Sequence, residues 1–105
     1  MKKNDLDDYQ AFTATTLKPQ CNNAEYLTLG LCGESGEVAE KIKRIIRGDG
    51  IIDETLIYEL GDVLYYIARL AAFYHVSLSK VAQMNVDKLT KRMADNKIQG
   101  KGDKR

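Results

Sequence analysis

The chain has no tryptophan, one proline, one histidine and two cysteines among 105 residues. Cys21 and Cys32 form no C-x-x-C pair and have no histidine cluster beside them, so neither a zinc site nor a disulfide framework is suggested, and both are expected to be reduced thiols. His75 does not follow a glutamate by three positions, which removes the Glu-x-x-His pairs that a di-iron bundle requires. No apolar stretch is long enough to span a bilayer, and Met1-Lys2-Lys3-Asn4-Asp5 turns acidic without an apolar signal core, so a cytoplasmic protein with no membrane partner is expected. A formal net charge of +1 supplies no global field for gripping nucleic acid.

What is present is a chain that is 44% hydrophobic and long enough for one modest core. The apolar residues recur at helical and not alternating spacing, which makes the fold class all-α, an antiparallel four-helix-bundle-like domain. A weak first helix is expected from about Asp5 to Leu17, broken by Pro19 and Asn22-Asn23. Leu27, Leu31, Val38, Ile42 and Ile45 predict a long second helix over Ala24 to Arg47, stopped at Gly48-Asp49-Gly50. Asp53 caps a third helix with the stripe Leu56, Leu60, Val63, Ile67, Ala71 and Tyr74, ended at His75. Ser77 is the expected N-cap of a fourth helix, with Val76 and Val81 as its hydrophobic staple and Leu78, Ala82, Leu89 and Met93 along one line. Residues 1–94 make a single domain in this reading, and residues 95–105 a mobile basic tail. These helices carry more apolar face than one short bundle covers, so a homodimer or homotetramer is expected.

Two helices break the helical rules in the same way. Glu34 falls within the apolar stripe of the second helix, where a carboxylate needs a partner. Glu37 lies one turn on, and like charges so placed repel by about 0.2 to 0.5 kcal/mol even on an exposed helix. Glu59 and Asp62 repeat the device on the third helix, with Tyr66 one turn beyond. Each pair encloses a glycine, Gly36 or Gly61, at a cost of roughly 0.5 to 1 kcal/mol relative to alanine, which close approach of a helix or ligand would justify. A lone E-x-x-E is most often a solvated face, whereas two such pairs beside the core call for a shared cation. Four carboxylates without cysteine or histidine favour magnesium or manganese over zinc. On the fourth helix Asn85 lies in line with the apolar residues, where a buried amide needs partners, and Lys88 and Arg92 follow along one edge. That set suits a phosphate-bearing ligand, and on spacing alone it equally suits an asparagine that fixes helix register beside two solvated cations.

Assembled, these residues resemble the MazG-like nucleoside triphosphate pyrophosphohydrolases of the all-α superfamily, from about Tyr26 to Arg92. The likeness is carried by G-E-S-G-E-V-A-E-K, by Y-E-L-G-D-V-L-Y-Y, and by the N-x-x-K-x-x-x-R spacing of Asn85, Lys88 and Arg92. The resemblance implies cleavage between the α- and β-phosphates of a nucleoside triphosphate, giving a monophosphate and pyrophosphate. It further implies magnesium held by Glu34, Glu37, Glu59 and Asp62, with one of these acids able to orient the attacking water. Tyr66 resembles a pocket tyrosine of the family, and Lys41, Lys88 and Arg92 are candidates to neutralise phosphate oxygens. Tyr26, Tyr65 and Tyr66 are available to stack on a base, although aromatic residues at helical spacing more often belong to the core.

The leading expectation is therefore a house-cleaning enzyme acting on non-standard or surplus nucleoside triphosphates. The alternative is a non-catalytic helical module of the same fold that binds a nucleotide or protein. Nucleic-acid binding through Lys97, Lys101, Lys104 and Arg105 ranks below both, since Asp95 and Asp103 offset part of that charge.

Overall fold

The computed structural model describes residues 5–99, with side chains through residue 96. The segments 1–4 and 100–105, which include the expected leaderless start and most of the basic tail, lie outside the described residues. The described part holds four α-helices, α1 (Asp5–Thr13), α2 (Ala24–Arg47), α3 (Glu54–Phe73) and α4 (Leu78–Gln99). None of these helices is long and apolar enough to cross a membrane.

α1 ends earlier than the expected Leu17, and the residues Ala14–Thr16 tighten into a 3-10 turn. The cause is a run of threonines whose hydroxyls bond back three residues, Thr13 to the Gln10 carbonyl at 2.6 Å, Thr15 to Phe12 at 2.8 Å and Thr16 to Thr13 at 3.1 Å. Lys18 is then extended at ψ 142°, as a residue before proline prefers.

α2 has the expected bounds, and both ends are chemically defined. The Asn23 side chain accepts the Tyr26 N–H at 2.8 Å. Gly48 takes φ 94° at the other end, its N–H donating to Ile45 at 3.1 Å while the Asp49 N–H reaches Arg44 at 2.9 Å. This pair of reversed bonds satisfies carbonyls that the helix leaves open, in a left-handed conformation that glycine adopts without steric cost.

Asp53 caps α3 by accepting the Thr55 N–H at 3.0 Å. α3 stops at Phe73, and His75 makes the left-handed step at φ 61°, with the same reversed bonds from His75 to Ala72 and from Val76 to Ala71, both 2.9 Å. Ser77 caps α4 as expected, its hydroxyl accepting the Lys80 N–H at 3.2 Å. A second cap arrives from α1, for the Asp7 carboxylate accepts the Ser79 N–H at 2.9 Å and the Ser79 hydroxyl at 2.7 Å. α4 continues through Asp95–Gln99, past the expected start of the tail after Ala94.

α2 and α3 form an antiparallel hairpin whose register can be read from its contacts. Gly30 meets Tyr66 near one end, and Lys41 donates to the Thr55 hydroxyl near the other. α1 crosses this hairpin and is held to it by polar groups. Gln10 donates to the Ala68 carbonyl at 3.1 Å and to Val76 at 3.0 Å, and accepts the Leu78 N–H at 2.9 Å, so one amide joins α1, α3 and the start of α4.

The apolar core is small. Leu27, Ala68 and Leu78 are the buried apolar residues among those described, while Leu29, Ile46, Ile57 and Met93 are each more than 60% exposed. The radius of gyration is 17.1 Å, against about 13 Å for a compact chain of roughly this length. α4 accounts for part of the excess, since every residue from Gln83 to Lys91 is exposed.

Candidate metal centre

The hairpin register determines which acids face one another. Each step forward along α2 is a step back along α3, so Glu34 falls opposite Asp62 and Glu37 opposite Glu59. Carboxylate oxygens of Glu34, Glu59 and Asp62 all lie within 4.8 Å of one another. Glu34 and Glu59 are half-buried, and Asp62 is exposed. Burial pushes the Glu34 carboxyl above its ordinary value, and the charges of Asp62, Glu59 and Glu37 push it further in the same direction. Three acids held together by helix packing, with no cationic side chain paired to them among the described residues, form a hard-oxygen donor set suited to magnesium or manganese. Glu37 is exposed on the same face of α2 and outside the tight trio, yet near enough for its charge to act on Glu34.

Behind the acids lies an aromatic wall. Tyr66 packs edge-on to Tyr65 with ring centroids 5.1 Å apart, and Tyr26 tilts toward Tyr66 at 6.4 Å. Hydrogen bonding to Tyr66, and then to Cys21, pushes the Tyr26 hydroxyl up to about 12. Tyr9 arrives from α1, where burial raises its hydroxyl and the Asp62 charge adds to the effect.

The glycine expectation is corrected by the packing. A methyl group at Gly36 or at Gly61 would meet nothing within 4 Å, so close approach within the chain explains neither. The glycine that packing does require is Gly30, where a Cβ would stand 2.3 Å from Tyr66 Cε1. The Tyr66 ring occupies the space that Gly30 leaves open.

None of the remaining expected site residues is bonded to the acids among the described residues. Lys41 is engaged with Thr55, whose hydroxyl in turn bonds the Asp53 cap, so it ties the end of the hairpin. Asn85 is not a buried amide; it and Lys88 are exposed, and Arg92 is half-buried. The expectation of burial fails because nothing described covers the middle of α4, where every residue from Gln83 to Lys91 is exposed. Among the described residues none of Asn85, Lys88 and Arg92 bonds to the carboxylates of α2 and α3.

Sequence reasoning missed Tyr9, Gly30 and the buried group formed by Gln10, Thr13 and Arg69. Arg69 had a readable signal, a lone cation inside Ile67-Ala68-Arg69-Leu70-Ala71-Ala72-Phe73. Gly30 had a weaker one, in the small-residue line Gly30, Gly33 and Gly36 along α2.

An acid-lined helical hairpin of this kind defines a class, the all-helical proteins with a carboxylate site suited to divalent cations. A family model described as the MazG nucleotide pyrophosphohydrolase domain matches residues 22–96, and the chain belongs to that family. It is 44% identical, over 95% of its own length and 98% of the other's, to a protein of Mycobacterium phage L5 named Gene 37 protein. No solved structure matches.

Proposed function

We propose that the protein is a magnesium-dependent nucleoside triphosphate pyrophosphohydrolase, which cleaves between the α- and β-phosphates to release a nucleoside monophosphate and pyrophosphate. The convergence of Glu34, Glu59 and Asp62 from two antiparallel helices is the observation that carries this reading. Glu37, opposite Glu59 in the hairpin register, completes the donor set. Glu34, Glu37, Glu59 and Asp62 would hold a divalent ion there, and the chemistry it would supply is neutralisation of phosphate oxygens and acidification of a water. The four carboxylates hold and orient that centre, and one of them aligns the attacking water and receives its proton. Tyr66, fixed by Gly30 behind it and by Tyr65 and Tyr26 beside it, forms the wall against which the substrate lies.

Asn85, Lys88 and Arg92 remain the candidates for the triphosphate, with Lys41 at the end of the hairpin. Because the outer face of α4 is uncovered within one chain, this reading has a second copy deliver those cations to the acids. The exposed apolar residues of α2 and α4 and the expanded dimensions of the single chain support a homodimer or homotetramer. A cytoplasmic house-cleaning role toward non-standard or surplus triphosphates accords with that chemistry.

Product analysis tests the proposal directly. Incubation with magnesium and a panel of nucleoside triphosphates is expected to yield monophosphate and pyrophosphate. Release of diphosphate and orthophosphate would exclude the proposed bond, absence of any product would leave the non-catalytic binding module, and full turnover by a Glu37→Gln variant would remove Glu37 from the site.

A further inference from the structure

Arg69 is 8% exposed and has no carboxylate partner among the described residues. A guanidinium is a permanent cation, and a buried one is ordinarily matched by an anion because desolvation is costly. Here its contacts are neutral. Nε donates to the Thr13 hydroxyl at 2.7 Å and Nη2 to the Gln10 carbonyl at 3.0 Å, which leaves Nη1 with both its protons. Every fully buried side-chain nitrogen and oxygen among the described residues has a partner, so this free edge of the fork opens to solvent. Arg69 also lines a cleft of about 340 Å³, together with Asn22, Ala72, Phe73 and His75.

We propose that this cleft is a binding site for a small oxyanion of the phosphate class, with the Arg69 guanidinium at its floor and Asn22 and His75 at its rim. The outer edge of the fork, Nη1 with the second proton of Nη2, matches two oxygens of a phosphate, and charge-assisted bonds of that kind are among the strongest a side chain makes. The Thr13 and Gln10 contacts hold the guanidinium rigidly, so little rotamer entropy is lost on binding. Asn22 adds an amide donor and His75 an imidazole. The negative end of α3 and the positive end of α2 meet at the cleft and offset one another, leaving the Arg69 charge to set the potential. The cleft, about 340 Å³, is roomy enough to admit a phosphate group. Arg69 stands two turns beyond Asp62 on α3, about 10 Å along its axis, so the site is separate from the carboxylates.

The test uses the full chain with a metal chelator present, so that its outcome is independent of the carboxylate centre. Inorganic phosphate is titrated at constant ionic strength against chloride and acetate controls, while the His75 ring resonances are followed by NMR. A saturable shift specific to phosphate is expected, with affinity about tenfold weaker in Asn22→Asp, which places a like charge at the exposed rim. Arg69→Gln is expected to abolish the shift; because that variant removes contacts that hold α1, the rim variant carries the test if it fails to fold. A linear shift that chloride reproduces would overturn the proposal, as would phosphate affinity unchanged in Asn22→Asp.

Discussion

Replacing Gly30 by alanine isolates one packing claim that the hairpin depends on. The added methyl carbon would stand 2.3, 2.5 and 2.6 Å from Cε1, Cζ and Cδ1 of Tyr66. Carbon atoms rest at about 3.5 to 4.0 Å, so the ring must move by roughly 1 Å or more. Tyr26 and Tyr65 flank that ring at 6.4 and 5.1 Å, and they limit where it can go. Overpacking of this kind costs about 1 to 3 kcal/mol, against which alanine in a helix recovers about 0.5 to 1 kcal/mol. Gly30→Ala is therefore expected to destabilise by about 1 kcal/mol or somewhat more. Gly33→Ala is the internal control, because nothing lies within 4 Å of its added methyl and only the propensity gain of about 0.5 to 1 kcal/mol remains. Thermal unfolding followed by circular dichroism, at one fixed protein concentration, is expected to separate the two midpoints by about 5 °C or more, Gly33→Ala being the higher. If Gly30→Ala unfolds at or above the Gly33→Ala midpoint, the packing of Tyr66 against α2 is refuted.

Other expectations follow from the electrostatics and the helix ends. The raised Glu34 carboxyl favours the protonated folded state, so its contribution to metal-free stability is greatest below 4.5 and is lost as pH rises through its higher folded value. Glu34→Gln is expected to flatten that loss in chemical denaturation across mildly acidic pH. Asp7 has the opposite sign, since its bonds to Ser79 lower its carboxyl from 3.8; that stabilisation is present above 3.8 and is lost as pH falls through the depressed value. Asp7→Ala is expected to lower the midpoint at neutral pH, with a smaller difference from wild type once Asp7 is protonated. His75→Gly relieves a left-handed step at φ 61° and is expected to raise stability by about 1 kcal/mol, measured by urea denaturation.

The fold was legible where local chemistry and tertiary packing agree. The bounds of α2 could be read because Asn23 and Gly48 fix its ends by their own side-chain and backbone chemistry, and Asp53 and Ser77 did the same for two helix starts. The threonine run that shortens α1 was harder, because a back-bonding hydroxyl competes with the helix only by a small margin. Three of the acids could be brought together from spacing alone, since i and i+3 positions on two antiparallel helices converge once the register is set. The α4 residues could not be placed so, because spacing says that Asn85 shares a face with Leu78 without saying whether anything covers that face. Gln10 and Arg69 escaped for a related reason. Their burial is created by the crossing of α1 over α3, a long-range contact that no local pattern encodes.

The proposed function requires that carboxylates of α2 and α3 hold a common divalent cation. Manganese binding, followed by the electron paramagnetic resonance signal of the free ion, tests it without reference to substrate. Wild-type protein is expected to deplete the free signal saturably, magnesium to restore it by competition, and Asp62→Asn to weaken binding by at least about tenfold. Manganese uptake unchanged in Asp62→Asn and in Glu34→Gln would show that these carboxylates do not hold the ion.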